Sequence, residues 1–154
     1  MDAVFKKLNF KAHNPVLIMN APDSFALNIA SIADEATIVT NEDQIKHTTF
    51  CMIFVTKQTE IDATIPSIMP LLTGDAILWM CYPKGTSKRY QCDFNRDSGW
   101  QVMGQFDMEP VRMVAIDEDW SALRFKKVDF IKTMKRNTAG ALSEKGKIKS
   151  SRNS

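Results

Sequence analysis

Three segments of this chain are so uniformly apolar that a sheet covered on both sides is the natural place for them. Val16-Leu17-Ile18-Met19, Phe50-Cys51-Met52-Ile53-Phe54-Val55 and Ala76-Ile77-Leu78-Trp79-Met80-Cys81 show no polar alternation. A strand with one wet face alternates, whereas a strand buried on both faces reads as a continuous hydrophobic run. Helical spacing fills the gaps between the runs. Pro22 with Asp23 or Ser24 starts a helix whose face is Phe25, Ala26, Leu27, Ile29, Ala30 and Ile32, reaching about residue 33. Thr59 caps a second, in which Ile61, Ile65, Ile68, Met69 and Leu72 recur, and Pro66 and Pro70 predict a kink or an early stop. The β-branched stretch 36–40 adds a short strand closed by the polar turn Asn41-Glu42-Asp43, and Thr73-Gly74-Asp75 is expected to turn the chain into the third run. A further helix is predicted over 96–106, packing through Trp100, Val102, Met103 and Phe106. Residues 111–116 and 120–125 alternate more, and the acidic turn Asp117-Glu118-Asp119 between them predicts a β-hairpin.

The fold class that follows is α/β: one three-layer domain with a mostly parallel sheet of about six strands, ending in an antiparallel β-hairpin. A length of 154 residues fits one domain, and 44% hydrophobic residues exclude a disordered chain. No apolar stretch approaches the ~20 residues of a membrane span. Met1-Asp2-Ala3-Val4-Phe5-Lys6-Lys7 carries an early acid and no apolar core, so no signal peptide is expected there. Cys51, Cys81 and Cys92 are odd in number and widely spaced, which fits reduced thiols and a cytoplasmic protein. Charge divides the chain in two. Residues 1–130 hold 13 Lys and Arg against 17 Asp and Glu; residues 131–154 hold seven basic side chains against Glu144 alone. The domain is therefore expected over 1–130, with a basic, mobile tail over 131–154 that folds back, meets another subunit or binds an anionic partner.

A strand introduced by Leu71-Leu72-Thr73-Gly74-Asp75, then a helix, then a closing hairpin, resembles the second half of a class I methyltransferase-type Rossmann fold. The strings Leu17-Ile18-Met19-Asn20-Ala21-Pro22, Tyr82-Pro83-Lys84, Arg96-Asp97-Ser98-Gly99-Trp100 and 115–125 are similar to a bacterial family of unassigned function. The likeness covers roughly residues 8–127 and implies a Rossmann-like domain; it implies no activity.

Motifs that would carry chemistry are mostly missing. Nucleotide and S-adenosylmethionine cradles place glycines after the first strand so that backbone amides approach the ligand. Here Asn20-Ala21-Pro22-Asp23 stands instead: Pro22 has no amide hydrogen, and Asp23 repels an anion. Glu42 and Asp43 do lie about 20 residues on, where a ribose-binding acid belongs. No motif specifies a cofactor. Gly140-Ala141-Leu142-Ser143-Glu144-Lys145-Gly146-Lys147 misses the P-loop spacing by one residue, and Ile148 replaces its hydroxyl residue. There is no G-x-S-x-G elbow, His13 and His47 are isolated, and no metal site is expected. The Asp117-Glu118-Asp119 run belongs to its turn.

The loop 82–99 is the strongest candidate. It leaves the carboxyl end of the third apolar run, where open α/β sheets bind ligands, and it exceeds the two to six residues of an ordinary connection. Lys84, Lys88, Arg89 and Arg96 face Asp93 and Asp97 in composition, Gly85-Thr86-Ser87 offers amides and hydroxyls, and Asn95 is placed to cap the next helix, whose amides would favour an anion. The expected function is a non-catalytic module that binds a small anionic molecule through Lys84, Lys88, Arg89 and Arg96, or binds a partner protein. The alternative is a diverged S-adenosylmethionine-dependent methyltransferase-like enzyme. A weaker one is binding of an anionic partner or nucleic acid through the tail, although the body has no basic face or recognition motif.

Overall fold

In the computed structural model, which describes residues 1–131 and residue 142, the apolar runs form the centre of one six-stranded sheet. The elements follow as α1 (Ala3–Lys7), β1 (Val16–Met19), α2 (Ala26–Ala30), β2 (Ile38–Val39), β3 (Thr48–Phe54), α3 (Gln58–Ile68), β4 (Leu72–Pro83), α4 (Gln101–Gly104), β5 (Met108–Ala115) and β6 (Trp120–Lys127). Across the sheet their order is β2-β1-β3-β4-β6-β5; the first four are parallel, and β6 runs antiparallel to both neighbours. The chain is thus a single α/β domain with a mostly parallel sheet closed by an antiparallel hairpin.

Alternation along each strand sorts its residues onto two faces. Leu17, Cys51, Ile53, Leu78, Met80, Leu123 and Phe125 point to one side, where Ile61, Ile65 and Ile68 of α3 and Val102 and Met103 of α4 cover them. Val16, Ile18, Phe50, Met52, Phe54, Ile77 and Trp79 point to the other, beneath Phe5, Leu8, Phe10, Phe25 and Ile32. Trp79 is fully buried there, and its indole N–H donates to the Leu8 carbonyl at 2.9 Å, so the N-terminal segment is tied to the middle of the sheet. Helix α1 is absent from the sequence reading. Asp2 caps it by accepting from the Phe5 amide, Lys6 and Lys7 stand at its carboxyl end, and Phe5 is its buried anchor.

Four elements depart from expectation. The first helix is a 3-10 turn, Asp23–Phe25, followed by five α-helical residues. Ser31 ends it: its hydroxyl donates back to the Asn28 carbonyl at 2.6 Å while accepting from the Asp2 amide, so side chain competes with helix ladder. Thr73-Gly74-Asp75 lies inside β4 as an irregularity, with Thr48 paired to Leu72 and Phe50 to Ile77, and Gly74 at φ 58° supplies the left-handed step. α3 begins at Gln58 with Lys57 before it, so Thr59 lies inside the helix rather than capping it, while its α-helical part stops at Ile68 between Pro66 and Pro70, as those prolines predict. The helix expected from Arg96 starts only at Gln101, because Gly99 at φ 94° turns the chain first; a Cβ there would meet Phe94 at 2.7 Å.

The hairpin is longer than expected, and its turn is held by Asp117, whose Oδ1 accepts from the Asp119 and Trp120 amides at 2.8 Å. Pro110 and a register shift before Arg112 interrupt β5. Within the segment expected to be a mobile tail, residues 132–141 and 143–154 lie outside the described residues, and with them all of the glycine stretch 140–147 except Leu142. That residue rests on the body: its amide donates to both carboxylate oxygens of fully buried Glu109, at 2.9 and 2.8 Å. A side chain at Gly104 would collide with its carbonyl.

Cys51 and Cys81 are buried on opposite faces, and burial pushes both thiols well above their ordinary range. A raised folded-state value stabilises the protein below the unfolded thiol value of about 8.5 and is lost as pH rises beyond it. Unfolding free energy measured in denaturant at a series of pH values should therefore fall above about pH 8.5. In mass spectrometry, a thiol reagent should modify half-buried Cys92 in the native protein and reach the other two only on unfolding.

Candidate functional site

Open α/β sheets bind ligands beyond the carboxyl ends of their strands, above all where the strand order reverses. Here the reversal falls between β1 and β3. At the end of β1, Asn20 adopts φ 61°, the left-handed geometry that glycine usually provides. At the end of β2, Asn41 and Gln44 close a capping box around the 3-10 turn Glu42–Gln44. The Gln44 side-chain carbonyl accepts from the Thr40 and Asn41 amides at 3.1 Å, and Asn41 Oδ1 accepts from the Asp43 amide at 2.8 Å. This leaves Glu42 half-buried and Asp43 exposed. The negative charge of Glu42 reaches the Cys51 thiol, adding to the effect of burial.

The loop after β4 walls a cleft of about 710 Å³, a volume suited to a small molecule. It is pinned at two points. Ser87 Oγ donates to Asp119 Oδ1 and the Lys84 amide donates to the Asp119 carbonyl, both at 2.8 Å, which fastens the loop to the hairpin turn. Asp93 Oδ1 accepts from the Gln58 amide at 2.7 Å, placing a carboxylate at the start of α3. Asp93 is thus a helix-terminal anchor. Asn95 does not cap α4: its Oδ1 accepts from the Asp97 amide at 2.8 Å, and its carbonyl accepts from the Trp100 indole at 2.9 Å. With only four residues, α4 offers no amide cluster to an anion.

Of the four cations singled out in the sequence, Lys84 and Arg96 line the cleft, while Lys88 and Arg89 are exposed and stand outside its lining. Among the described residues, neither Lys84 nor Arg96 has an ion-pair partner. Arg96 also borders an adjoining hollow of about 300 Å³, shared with Asp97 and Arg112. Among the further lining residues that the sequence did not single out are Tyr82, Cys92, Met113 and Ser121. Tyr82 was legible as a polar-tipped residue at the carboxyl end of an apolar strand; Met113 and Ser121 arrive from the hairpin, and no local signal points to them. Tyr82 is locked against Phe94 and Trp100, with ring centroids 5.8 and 5.7 Å away. Burial pushes its hydroxyl above the ordinary tyrosine value, Arg96 opposes that, and Cys92 and Asp97 add to it.

The two histidines take no part in this cleft. His13 Nδ1 accepts from the Lys11 amide at 3.0 Å, its ring packs on Phe10 and Phe50, and burial with the charges of Arg124 and Lys11 lowers its basicity. Among the described residues, no three His, Cys, Asp or Glu side chains converge as metal ligands. No helix among them is long and apolar enough to cross a membrane.

Comparison with solved structures places the fold in a known class. The chain is similar to a SAM dependent methyltransferase from Aquifex aeolicus, with 8% identity, 80% of this chain and 87% of that chain covered, and a TM-score of 0.54. It is also similar to the tRNA methyltransferase TrmK of B. subtilis, at 9% identity, 80% and 64% coverage and a TM-score of 0.51. The N-methyltransferase NodS from Bradyrhizobium japonicum gives 12%, 80%, 92% and 0.50 in the same terms. No family model and no curated protein matches the chain. The fold is that of the class I S-adenosylmethionine-dependent methyltransferases, a Rossmann-like domain; identities this low establish the fold and nothing finer.

Arg96→Ala removes the charge that opposes the effect of burial on the Tyr82 hydroxyl. An absorbance titration of tyrosine should then show the Tyr82 hydroxyl, already raised by burial, moving to still higher pH. Ser87→Ala cuts the tie to Asp119 and should cost about 1 kcal/mol in denaturant unfolding.

Proposed function

We propose that this chain is a diverged protein of the S-adenosylmethionine-dependent methyltransferase type, holding its ligand outside the carboxyl ends of β1 to β4. The observation that carries this reading is the left-handed Asn20 at the end of β1, at the point where the strand order reverses. Such folds turn toward a nucleotide-like ligand at this point, and Asn20 supplies a left-handed step there without a glycine. Half-buried Glu42 at the end of β2 fits the ribose of an adenosyl group. The other end fits badly: Pro22 offers no amide, and Asp23 stands where a carboxylate would need a donor. The fit stops at the ribose, so the reading is a methyltransferase type with an altered first loop.

S-adenosylhomocysteine at about a hundred times its dissociation constant should stabilise the protein by about 2.7 kcal/mol. That corresponds to a melting shift of ~5–10 °C for a chain of this size. Glu42→Ala should remove most of the shift. A melting curve that neither S-adenosylmethionine nor S-adenosylhomocysteine moves would sink the reading.

A second reading is favoured by Lys84 and Arg96, which line the cleft and have no ion-pair partner among the described residues. The protein would then be a non-catalytic module whose cleft holds a small anionic molecule through Lys84 and Arg96, with Lys88 and Arg89 adding positive potential from the rim. Titration calorimetry with nucleotides and phosphorylated metabolites should detect binding that the Lys84→Ala/Arg96→Ala double variant loses. Binding left intact by both changes would exclude it.

A further inference from the structure

We propose that the cleft contains a built oxyanion subsite, in which the Tyr82 hydroxyl and the Arg96 guanidinium together hold the carboxylate or phosphate group of a small organic ligand, and Met113 Sδ is the stand-in acceptor for Tyr82 in the free protein. The inference deepens the second reading above and rests on it. Tyr82 is only 5% exposed and lines the cleft, and the one described partner of its hydroxyl is the Met113 thioether, 3.3 Å away. A thioether is a weak acceptor, so a buried phenol held on sulfur is under-satisfied and gains by exchanging to an anionic oxygen. The exchange costs little order. Phe94 and Trp100 already fix the Tyr82 ring, whereas Met113 is 44% exposed on β5, unbranched and free to swing aside.

Arg96 supplies the charge. Its guanidinium acts on the Tyr82 phenol and has no ion-pair partner among the described residues. Asp97 is the acid whose charge also reaches Tyr82; it is exposed and borders the adjoining hollow, where Arg112 stands with it. Tyr90, Cys92 and Phe94 give the wall an apolar stretch that suits the body of the ligand, beside polar Ser87, Gln91 and Asn95. The ligand class is thus an organic oxyanion with an apolar body. The guanidinium fork accepts either a carboxylate or a phosphate.

The test is calorimetry with phenyl phosphate, benzoate and inorganic phosphate on the full chain. Phenyl phosphate should bind more tightly than inorganic phosphate, and benzoate reveals whether a carboxylate serves as well. Tyr82→Phe keeps the ring stack and should weaken binding about tenfold or more, with the melting temperature little changed. Met113→Leu keeps the volume but removes the competing acceptor, and should leave affinity unchanged or raise it by about two- to fivefold. A merely structural role for Met113 predicts weaker binding instead. If Tyr82→Phe changes affinity by less than about twofold while Lys84→Ala or Arg96→Ala abolishes it, this inference is overturned and the second reading stands. If none of the three probes binds the unmodified chain, both fall.

Discussion

β3 and β4 carry large apolar side chains on both faces, and each face must find a cover. At about 1.5–3 kcal/mol for each large side chain withdrawn from water, leaving one face open would outweigh the whole net stability of a domain. Everything else in the chain is arranged around that demand. α3 supplies three isoleucines to one face. Among the described residues the other has no long helix, and α1, Phe10 and the short α2 region assemble a lid from separate pieces, tied together by Trp79 on Leu8 and Asn28 on Asp2. A lid of pieces leaves the segment after β1 short and irregular.

Much of this could be read beforehand, and for a single reason: burial on both faces leaves an unmistakable sequence trace. The strand at Val16–Met19 is found where the apolar run stands, and the runs at 50–55 and 76–81 fall within or one residue beyond β3 and β4. What escaped was set by contacts remote in sequence. α1 is five residues long and depends on Phe5 entering a pocket of other aromatics. α2 ends where Ser31 finds Asp2, twenty-nine residues away. Thr73-Gly74-Asp75 reads locally as a turn, but the pairing of β4 with β3 on either side absorbs it into a longer strand.

The candidate site divides in the same way. Loop length, position and cations were visible, and Lys84 and Arg96 do meet at one cleft. Lys88 and Arg89, equal to them in composition, stand outside its lining, because the ties of Ser87 to Asp119 and of Asp93 to Gln58 decide which part of the loop walls the cleft. Each of those ties spans more than thirty residues, so charge counting could not rank the cations. Tyr82 and Met113 are joined across the hairpin, and their pairing exists only once β6 lies between β4 and β5.

The two outer strands also shape how the molecule behaves among its own copies. β2 is two residues long, and β5 carries Pro110 and a break in register before Arg112. A straight, apolar rim invites another chain to add a strand of its own, and exposed Val111 and Met113 would strengthen the invitation. Because one border is too brief and the other is crooked, neither makes a good template. The protein keeps a strongly hydrophobic sheet while resisting fibrous growth at its margins.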